Sequence, residues 1–147
     1  MKVLCVASGG GHVVELLRLQ PAFEEHELIY MSTLDSYANA FKGYAYHTIP
    51  DFSQWNVYKI PKASFVLFRL FTRIRPDVVV TTGAAPGVLA LFIGWLLGAK
   101  TIWVEASCHT EKISVSGKIC AFFASRVYTQ WQHLATNKFV YSGNVIK

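Results

Sequence analysis

Short apolar runs of strand length alternate with longer segments of helical periodicity along the whole chain. Several runs are uninterrupted, such as 78–80, which is typical of strands covered on both faces in a parallel sheet. The predicted strands are Lys2–Ala7, Glu27–Ser32, Ala45–Ile49, Asp77–Thr81, Lys100–Val104, Arg126–Thr129 and Lys138–Tyr141. The predicted helices lie near His12–Gln20, Ser36–Phe41, Ile60–Ile74, Pro86–Leu97 and Ser116–Phe123. This alternation predicts one α/β domain, Rossmann-like, with a doubly wound and mainly parallel sheet that binds ligands at the carboxyl ends of its strands.

A glycine-rich turn, Ser8-Gly9-Gly10-Gly11-His12, joins the first predicted strand to the first predicted helix. The first amides of a helix have no partner inside it, and the helix dipole adds positive charge there, so this position favours phosphate. Three glycines also let a diphosphate approach the backbone without meeting a Cβ. The alternative is a tight turn that holds no ligand. His12 lies at the mouth of the turn, where an imidazole can donate to an oxyanion or act as a base.

The spacing of these glycines differs from that of a dinucleotide site. Gly9 and Gly11 are in place, but Val14 stands where the fingerprint G-x-G-x-x-G has a glycine or alanine. Asp35 follows the second predicted strand, where an acid that binds ribose would lie. A nucleotide-dependent oxidoreductase therefore stays as a disfavoured alternative.

A second small-residue turn, Thr82 to Gly87, follows the fourth predicted strand, so it should face the first turn at the same edge of the sheet. Glu105 follows the fifth strand and reaches that edge too; it would contact sugar hydroxyls, act as a base, or cap the next segment. The residues predicted to bind phosphate are Ser8, Gly9, Gly10, Gly11, Gly83, Ala84 and Gly87.

The composition points to a surface that something besides water covers. Of the 147 residues 52% are hydrophobic and only 16% are charged, which predicts a partner subunit, a membrane, or both. The net charge of +5 suits anionic lipids or a phosphorylated substrate, whereas no basic block with interleaved aromatics predicts nucleic-acid binding. Cys5, Cys108 and Cys120 form no C-x-x-C motif and the histidines have no ligand spacing, so we expect a reducing, cytoplasmic setting and no metal site.

The most apolar stretch, 84–99, is too short and too rich in proline and glycine to span a bilayer, and it is interpreted as a buried crossover helix. No signal peptide precedes the first strand. The segment 59–75 combines basic and aromatic residues, so it either lies in a membrane interface or packs on the sheet with a solvated basic edge. The residues predicted to face the membrane are Lys59, Lys62, Phe65, Phe68, Arg69 and Arg73.

Four motifs in register, covering essentially the whole chain, resemble the Alg14 family and its relatives in bacterial capsule and exopolysaccharide synthesis. The motifs are Gly9-Gly10-Gly11-His12, Arg75-Pro76-Asp77-Val78-Val79-Val80-Thr81-Thr82-Gly83, Ser114-Val115-Ser116-Gly117-Lys118 and Thr129-Gln130-Trp131. The family is similar to the N-terminal half of a GT-B glycosyltransferase, such as the enzyme that adds N-acetylglucosamine to lipid I. The resemblance implies a heterodimer in which a separate Alg13-like chain holds the nucleotide sugar.

For this chain the resemblance implies one acceptor-binding domain over residues 1–147, whose two glycine turns face the diphosphate of a polyprenyl-linked sugar. His12 or Glu105 would be the base, with no cofactor or metal. Ala106 stands where many members have serine. The sequence has neither the N-terminal anchor of the eukaryotic members nor a donor-binding half, so we expect a peripheral protein on the cytoplasmic face of the membrane that is inactive alone. The alternative is a non-catalytic scaffold that recruits the transferase.

Overall fold

In residues 1–53 and 55–146, which the computed structural model describes, seven strands form one sheet in the order β3-β2-β1-β4-β5-β6-β7. Every neighbouring pair is parallel. The strands are β1 (Lys2–Val6), β2 (Glu27–Ser32), β3 (Ala45–Thr48), β4 (Val78–Thr81), β5 (Lys100–Val104), β6 (Arg126–Thr129) and β7 (Phe139–Tyr141). The predicted Rossmann-like, doubly wound sheet is confirmed, and it is wholly parallel in this part of the chain.

Among the described residues, four α-helices connect these strands: α1 (Gly11–Leu19), α2 (Ile60–Ile74), α3 (Ala84–Leu96) and α4 (Val115–Cys120). Short 3₁₀ turns cover Gln20–Ala22, Asp35–Asn39, Val57–Lys59 and Gln132–Leu134. The helix predicted at Ser36–Phe41 is wrong, because only the turn Asp35–Asn39 forms there and none of its residues is buried. A segment this short forms a stable helix only when it buries an apolar face.

Alternate residues of each central strand enter two separate cores. On β1, Val3 and Cys5 pack with α1, whereas Leu4 and Val6 pack with α2, α3 and α4. This alternation follows from the two-residue period of a strand, and both faces are apolar because helices cover both. Burial raises the pKa of the Cys5 thiol to about 12, so Cys5 behaves as a small core residue.

The apolar stretch 84–99 contains a crossover helix, as predicted. Gly94 of α3 lies so close to β4 that a Cβ there would come within 2.7 Å of Val79 Cγ2. The helix therefore lies directly on the sheet, next to α2 on one side and α4 on the other. Within residues 1–53 and 55–146, no helix has both the length and the hydropathy needed to cross a membrane.

The centre of the sheet is the point where its winding reverses. β1 and β4 pair directly, with Val6 opposite Thr81 at their carboxyl ends, while the strands that follow each in sequence lie on opposite sides. Such a switch point leaves a crevice at the carboxyl ends, because the two connections leave in opposite directions. Both predicted glycine turns begin at this crevice.

Candidate functional site

The two glycine turns line one cleft of about 630 Å³ at the switch point. The first turn contributes Ser8, Gly9 and Gly10, and the second contributes Ala84, Ala85 and Pro86. Both turns lead into α-helices of eight or more residues, α1 and α3, whose N-terminal ends therefore meet at the cleft. Converging helix N-termini supply backbone N–H groups and partial positive charge, which is the chemistry that binds phosphate.

The first turn is open on the side of the cleft. Gly10 has φ 56°, a left-handed conformation, and no side chain caps α1 behind it. Its amide donates to the Tyr37 hydroxyl at 2.8 Å. A Cβ on Gly10 or Gly11 would meet no heavy atom within 4 Å, so both glycines border free space. A hydroxyl oxygen thus occupies the place at Gly10 that a phosphate oxygen would take.

The second turn is strained. Gly83 has φ 141° and Ala84 has φ 69°, a left-handed conformation that costs a residue with a Cβ about 1–3 kcal/mol. Strain of this kind persists where the surroundings over-determine the backbone, and it is common at binding sites. Here the Gly83 amide donates to the Thr81 hydroxyl at 3.3 Å. The amides of Ala84 and Ala85 have no partner elsewhere in the described chain.

His12 connects the two turns. Its Nδ1 lies 2.9 Å from the Thr82 carbonyl oxygen, and the Thr82 hydroxyl donates back to the His12 carbonyl at 2.7 Å. Because a carbonyl only accepts, Nδ1 carries the proton, and in the neutral ring Nε2 keeps its lone pair. The ring lies against Gly83, where a Cβ would come within 2.6 Å of Cε1. Gly83 therefore makes room for the imidazole.

Glu105 is 1% exposed and both of its carboxylate oxygens have partners. Oε2 accepts from the Trp103 indole at 2.7 Å, and Oε1 accepts from the Ser114 amide at 2.9 Å, with His109 Nε2 3.8 Å away. The carboxylate thereby holds the segment that leads into α4. Glu105 and His12 both line a smaller cavity of about 190 Å³, which shares Ala84 and Ser116 with the cleft. Of the two predicted bases, His12 is the one whose ring nitrogen is left to accept a proton.

Gly11 and Gly87 do not belong to the lining of either cavity. Gly87 is buried against β4, and a Cβ there would overlap the Thr81 hydroxyl, so its lack of a side chain serves helix-to-strand packing. Gly11 is exposed as the first residue of α1. Asp35, which the sequence suggested as a ribose-binding acid, accepts a hydrogen bond from the Thr48 hydroxyl and does not line the cleft.

All six residues predicted to face a membrane are exposed on or just before α2. Phe65 is 62% and Phe68 48% exposed, and the Arg69 guanidinium lies 5.7 Å from the centre of the Phe65 ring. The buried side of the helix is a separate row made of Ala63, Leu67, Phe71 and Ile74. The helix therefore both packs on the sheet and presents a basic, aromatic outer side.

Tyr37 and Ser116 line the cleft but were not among the predicted site residues. Tyr37 follows β2, the strand next to β1. A polar aromatic residue just after a neighbouring strand is the sequence feature that could have predicted its place in the cleft. Ser116 lies in α4, whose N-cap Ser114 accepts from the Gly117 amide at 3.0 Å. In the loop before α2, Phe52 is buried in the protein, whereas Trp55 is 86% exposed and protrudes into solvent.

Comparison with known proteins finds similarity over most of this chain. A family model described as "Oligosaccharide biosynthesis protein Alg14 like" matches residues 54–145. The human protein named UDP-N-acetylglucosamine transferase subunit ALG14 is 28% identical, in an alignment that covers 99% of this chain and 83% of that protein. The alignment with the human protein thus includes the first glycine turn, which the family model does not reach.

Longer proteins match over part of their length. A Geobacillus thermodenitrificans protein named as the N-acetylglucosamine transferase that acts on N-acetylmuramyl-(pentapeptide) pyrophosphoryl-undecaprenol is 24% identical, and this chain covers 47% of it. The crystal structure of Acinetobacter baumannii MurG has the same fold, with a TM-score of 0.80 at 17% identity, over 99% of this chain and 46% of MurG. The chain thus spans about half the length of these two proteins. Since the family model covers well over half of the chain, this protein belongs to the Alg14 family.

Proposed function

We propose that this protein is the acceptor-binding subunit of a two-component glycosyltransferase, with residues 1–147 acting as one acceptor domain. An Alg13-like partner would bring a nucleotide sugar, and this chain would present the hydroxyl of a polyprenyl-diphosphate-linked sugar in the synthesis of a polysaccharide or a lipid-linked oligosaccharide. The observation that carries the proposal is that the two glycine turns share one cleft, while His12, which bonds to the second turn, lines the smaller cavity beside it. The names of the relatives as transferase subunits support the need for a partner.

In this proposal the acceptor's diphosphate lies between the N-terminal ends of α1 and α3. The amides of Ala84 and Ala85, two residues that line the cleft, are donors for its oxygens, and the Gly10 amide exchanges the Tyr37 hydroxyl for a phosphate oxygen. The two helix dipoles and the net charge of +5 favour the anion further. Backbone amides fixed by the switch point need little reorganisation when the ligand binds.

His12 would be the general base. As the acceptor hydroxyl attacks the anomeric carbon, its proton passes to His12 Nε2, while the Thr82 carbonyl holds the protonated Nδ1 in place. The bond between the anomeric carbon and the nucleotide breaks, and the nucleoside diphosphate is the leaving group, which the partner's site holds. Glu105 would position the segment before α4 at the edge of the cavity.

The outer side of α2 would contact the surface of the membrane that contains the lipid acceptor. Lys59, Lys62, Arg69 and Arg73 would lie near anionic headgroups, where each basic residue contributes about 1 kcal/mol. Phe65 and Phe68 would enter the interface. This contact would hold the protein peripherally on the cytoplasmic face, next to its substrate.

The test is co-expression with a candidate Alg13-like chain from the same genome, followed by transfer assays on each chain alone and on the pair. UDP-N-acetylglucosamine is the first donor to use, because the curated relatives carry it in their names. We expect transfer to an undecaprenyl-diphosphate-linked sugar only when both chains are present. Transfer by this chain alone, or no transfer by an assembled pair to any polyprenyl-diphosphate acceptor, contradicts the proposal.

A second candidate is a scaffold that recruits the partner to the membrane without contributing to chemistry. The exposed aromatic side of α2 and the fully engaged carboxylate of Glu105 favour it. A His12→Ala variant of the pair separates the two functions, provided that the complex still assembles. Lost turnover supports the acceptor-site function, whereas normal turnover supports the scaffold.

A further inference from the structure

An apolar groove of about 450 Å³ opens directly from the cleft between the two glycine turns. The groove and the cleft share four lining residues, namely Phe52, Ser53, Ala85 and Ser116. The two spaces therefore adjoin, so a ligand bound in the cleft is close enough to extend into the groove. The volume of the groove lies within the range of pockets that hold small molecules.

The walls of the groove follow the geometry of two helices. On α3 the lining residues are Ala85, Val88, Leu89 and Phe92, which recur at the spacing of one helix face. They extend about 10 Å from the N-terminal end of α3, which lies at the cleft. Val115 and Ile119 of α4 form the opposite wall. The groove thus begins where the anion would bind and leads away from it along α3.

The chemistry of the groove is the opposite of that of the cleft. None of its described lining residues is charged, and its rim exposes apolar side chains: Val115 is 74%, Ile119 47% and Phe92 40% exposed. Apolar surface of this kind next to a phosphate site fits a ligand with a hydrocarbon chain attached to an anionic head. At its outer end the groove reaches Val57 and Ile60, at the start of the basic aromatic helix α2.

We propose that this groove binds the first isoprene units of the lipid acceptor, next to its diphosphate. The inference rests on the proposed function and deepens it, because it gives the site a means of preferring lipid diphosphates over water-soluble ones. Each methylene buried from water strengthens binding by about fourfold. A chain longer than the groove gains nothing more from it, since its remaining units lie outside.

The first experiment titrates the full-length protein, in buffer without detergent, with inorganic diphosphate and with dimethylallyl, geranyl, farnesyl and geranylgeranyl diphosphate. We expect affinity to rise at least about fivefold for each added isoprene unit through geranyl or farnesyl, and then to level off. Affinity that does not depend on chain length overturns the inference.

The matched variants change exposed residues on α3 and on or just after α4. Phe92→Ser with Ile119→Ser removes apolar surface from the groove, whereas Leu96→Ser with Phe122→Ser removes it outside the lining. The groove variant should lose at least tenfold in affinity for farnesyl diphosphate and keep its affinity for inorganic diphosphate. The control should match the parent protein in both, and an unchanged groove variant contradicts the inference.

Two further measurements separate this inference from the proposed function. A geranyl diphosphate with a benzophenone group should label the peptides 84–97 and 113–123, and labelling confined to other segments rejects the groove. If the assembled pair transfers sugar but the groove variant keeps the same KM for long-chain and short-chain acceptors, the groove fails and the function stands. Loss of partner binding in the groove variant, with unchanged chain-length dependence, would assign the surface to the partner instead.

Discussion

The two glycine turns are both rich in small residues, but their glycines have different surroundings. In the first turn Gly10 and Gly11 border open space, so the missing side chains leave the backbone accessible. In the second turn Gly83 accommodates the ring of His12, and Gly87 accommodates Thr81. The first turn is therefore open at these two glycines, whereas the two glycines of the second turn accommodate side chains of the protein itself.

This difference teaches that a glycine at a strand-to-helix turn has at least two physical causes. Only glycines that face free space contribute to approach by a phosphate, while buried ones allow close packing of helix and strand. His12 belongs to the first turn by sequence and to the second by contact, because its Nδ1 bonds to Thr82. The imidazole thus sets the distance between the two turns.

The strongest test of this arrangement is His12→Ala. It removes both the proposed base and the contact with Thr82, so we expect kcat of the assembled pair to fall by about 10²–10⁴. His12→Gln is the companion variant, since its amide is still able to donate to the Thr82 carbonyl without acting as a base. Steady-state kinetics measure both, and a fall of less than about threefold in either would remove His12 from the chemistry.

Next in size is Gly83→Ala, which places a Cβ 2.6 Å from His12 Cε1. We expect kcat to fall by about 10² because the ring must move. Gly98→Ala is the matched control: Gly98 also has a positive φ, 85°, but a Cβ there meets nothing within 4 Å. Both variants should lose stability, and only Gly83→Ala should lose turnover. Equal turnover in the two would show that the ring adapts.

A comparison of Gly87 with Gly11 distinguishes a glycine needed for packing of helix on strand from a glycine that borders open space. Gly87→Ala forces a Cβ into Thr81, so the free energy of unfolding should fall by about 1–3 kcal/mol in denaturant titrations. Gly11→Ala places its Cβ in open space, so it should leave the free energy of unfolding within about 0.5 kcal/mol of the parent value. If the two variants unfold alike, the distinction between the turns fails.

Tyr37→Phe should have the smallest effect. It removes the hydroxyl that accepts from the Gly10 amide, at a cost of about 0.5–1.5 kcal/mol in unfolding free energy. The amide is then free for phosphate, so the Kd for inorganic diphosphate should stay the same or fall by up to about threefold. A tenfold rise in that Kd would mean that the tyrosine itself binds the ligand.

The sheet could be predicted from sequence because its strands are buried on both faces. Runs such as 78–80 have no solvent-facing positions, so their apolar residues are continuous and easily identified. Asp35–Asn39 did not form an α-helix for a complementary reason: none of its residues is fully buried and only Tyr37 packs partly against the core, so the segment has no continuous apolar face. Where the ends of the elements differ from the predicted ones, they differ by one to three residues, since caps depend on contacts outside the element.

The site was less predictable because its decisive contacts are distant in sequence. Strand order was enough to predict that the two turns meet, but nothing near His12 indicates that its partner is Thr82. Glu105 was expected at the correct edge of the sheet, yet its bonds to Trp103 and Ser114 depend on how the segment before α4 folds back. Gly87 packs against β4, and sequence alone does not tell a glycine facing solvent from one facing a strand.

The order of the strands has a consequence for how the protein opens. β1 and β4 are central and almost completely buried, whereas the edge strands β3 and β7 have only four and three residues, most of them exposed or half-buried. Local unfolding should therefore begin at the margins, and amide hydrogens of β1 and β4 should be the last to exchange with deuterated solvent. Both glycine turns depend on the most persistent part of the molecule, so partly opened forms would keep the crevice between them intact.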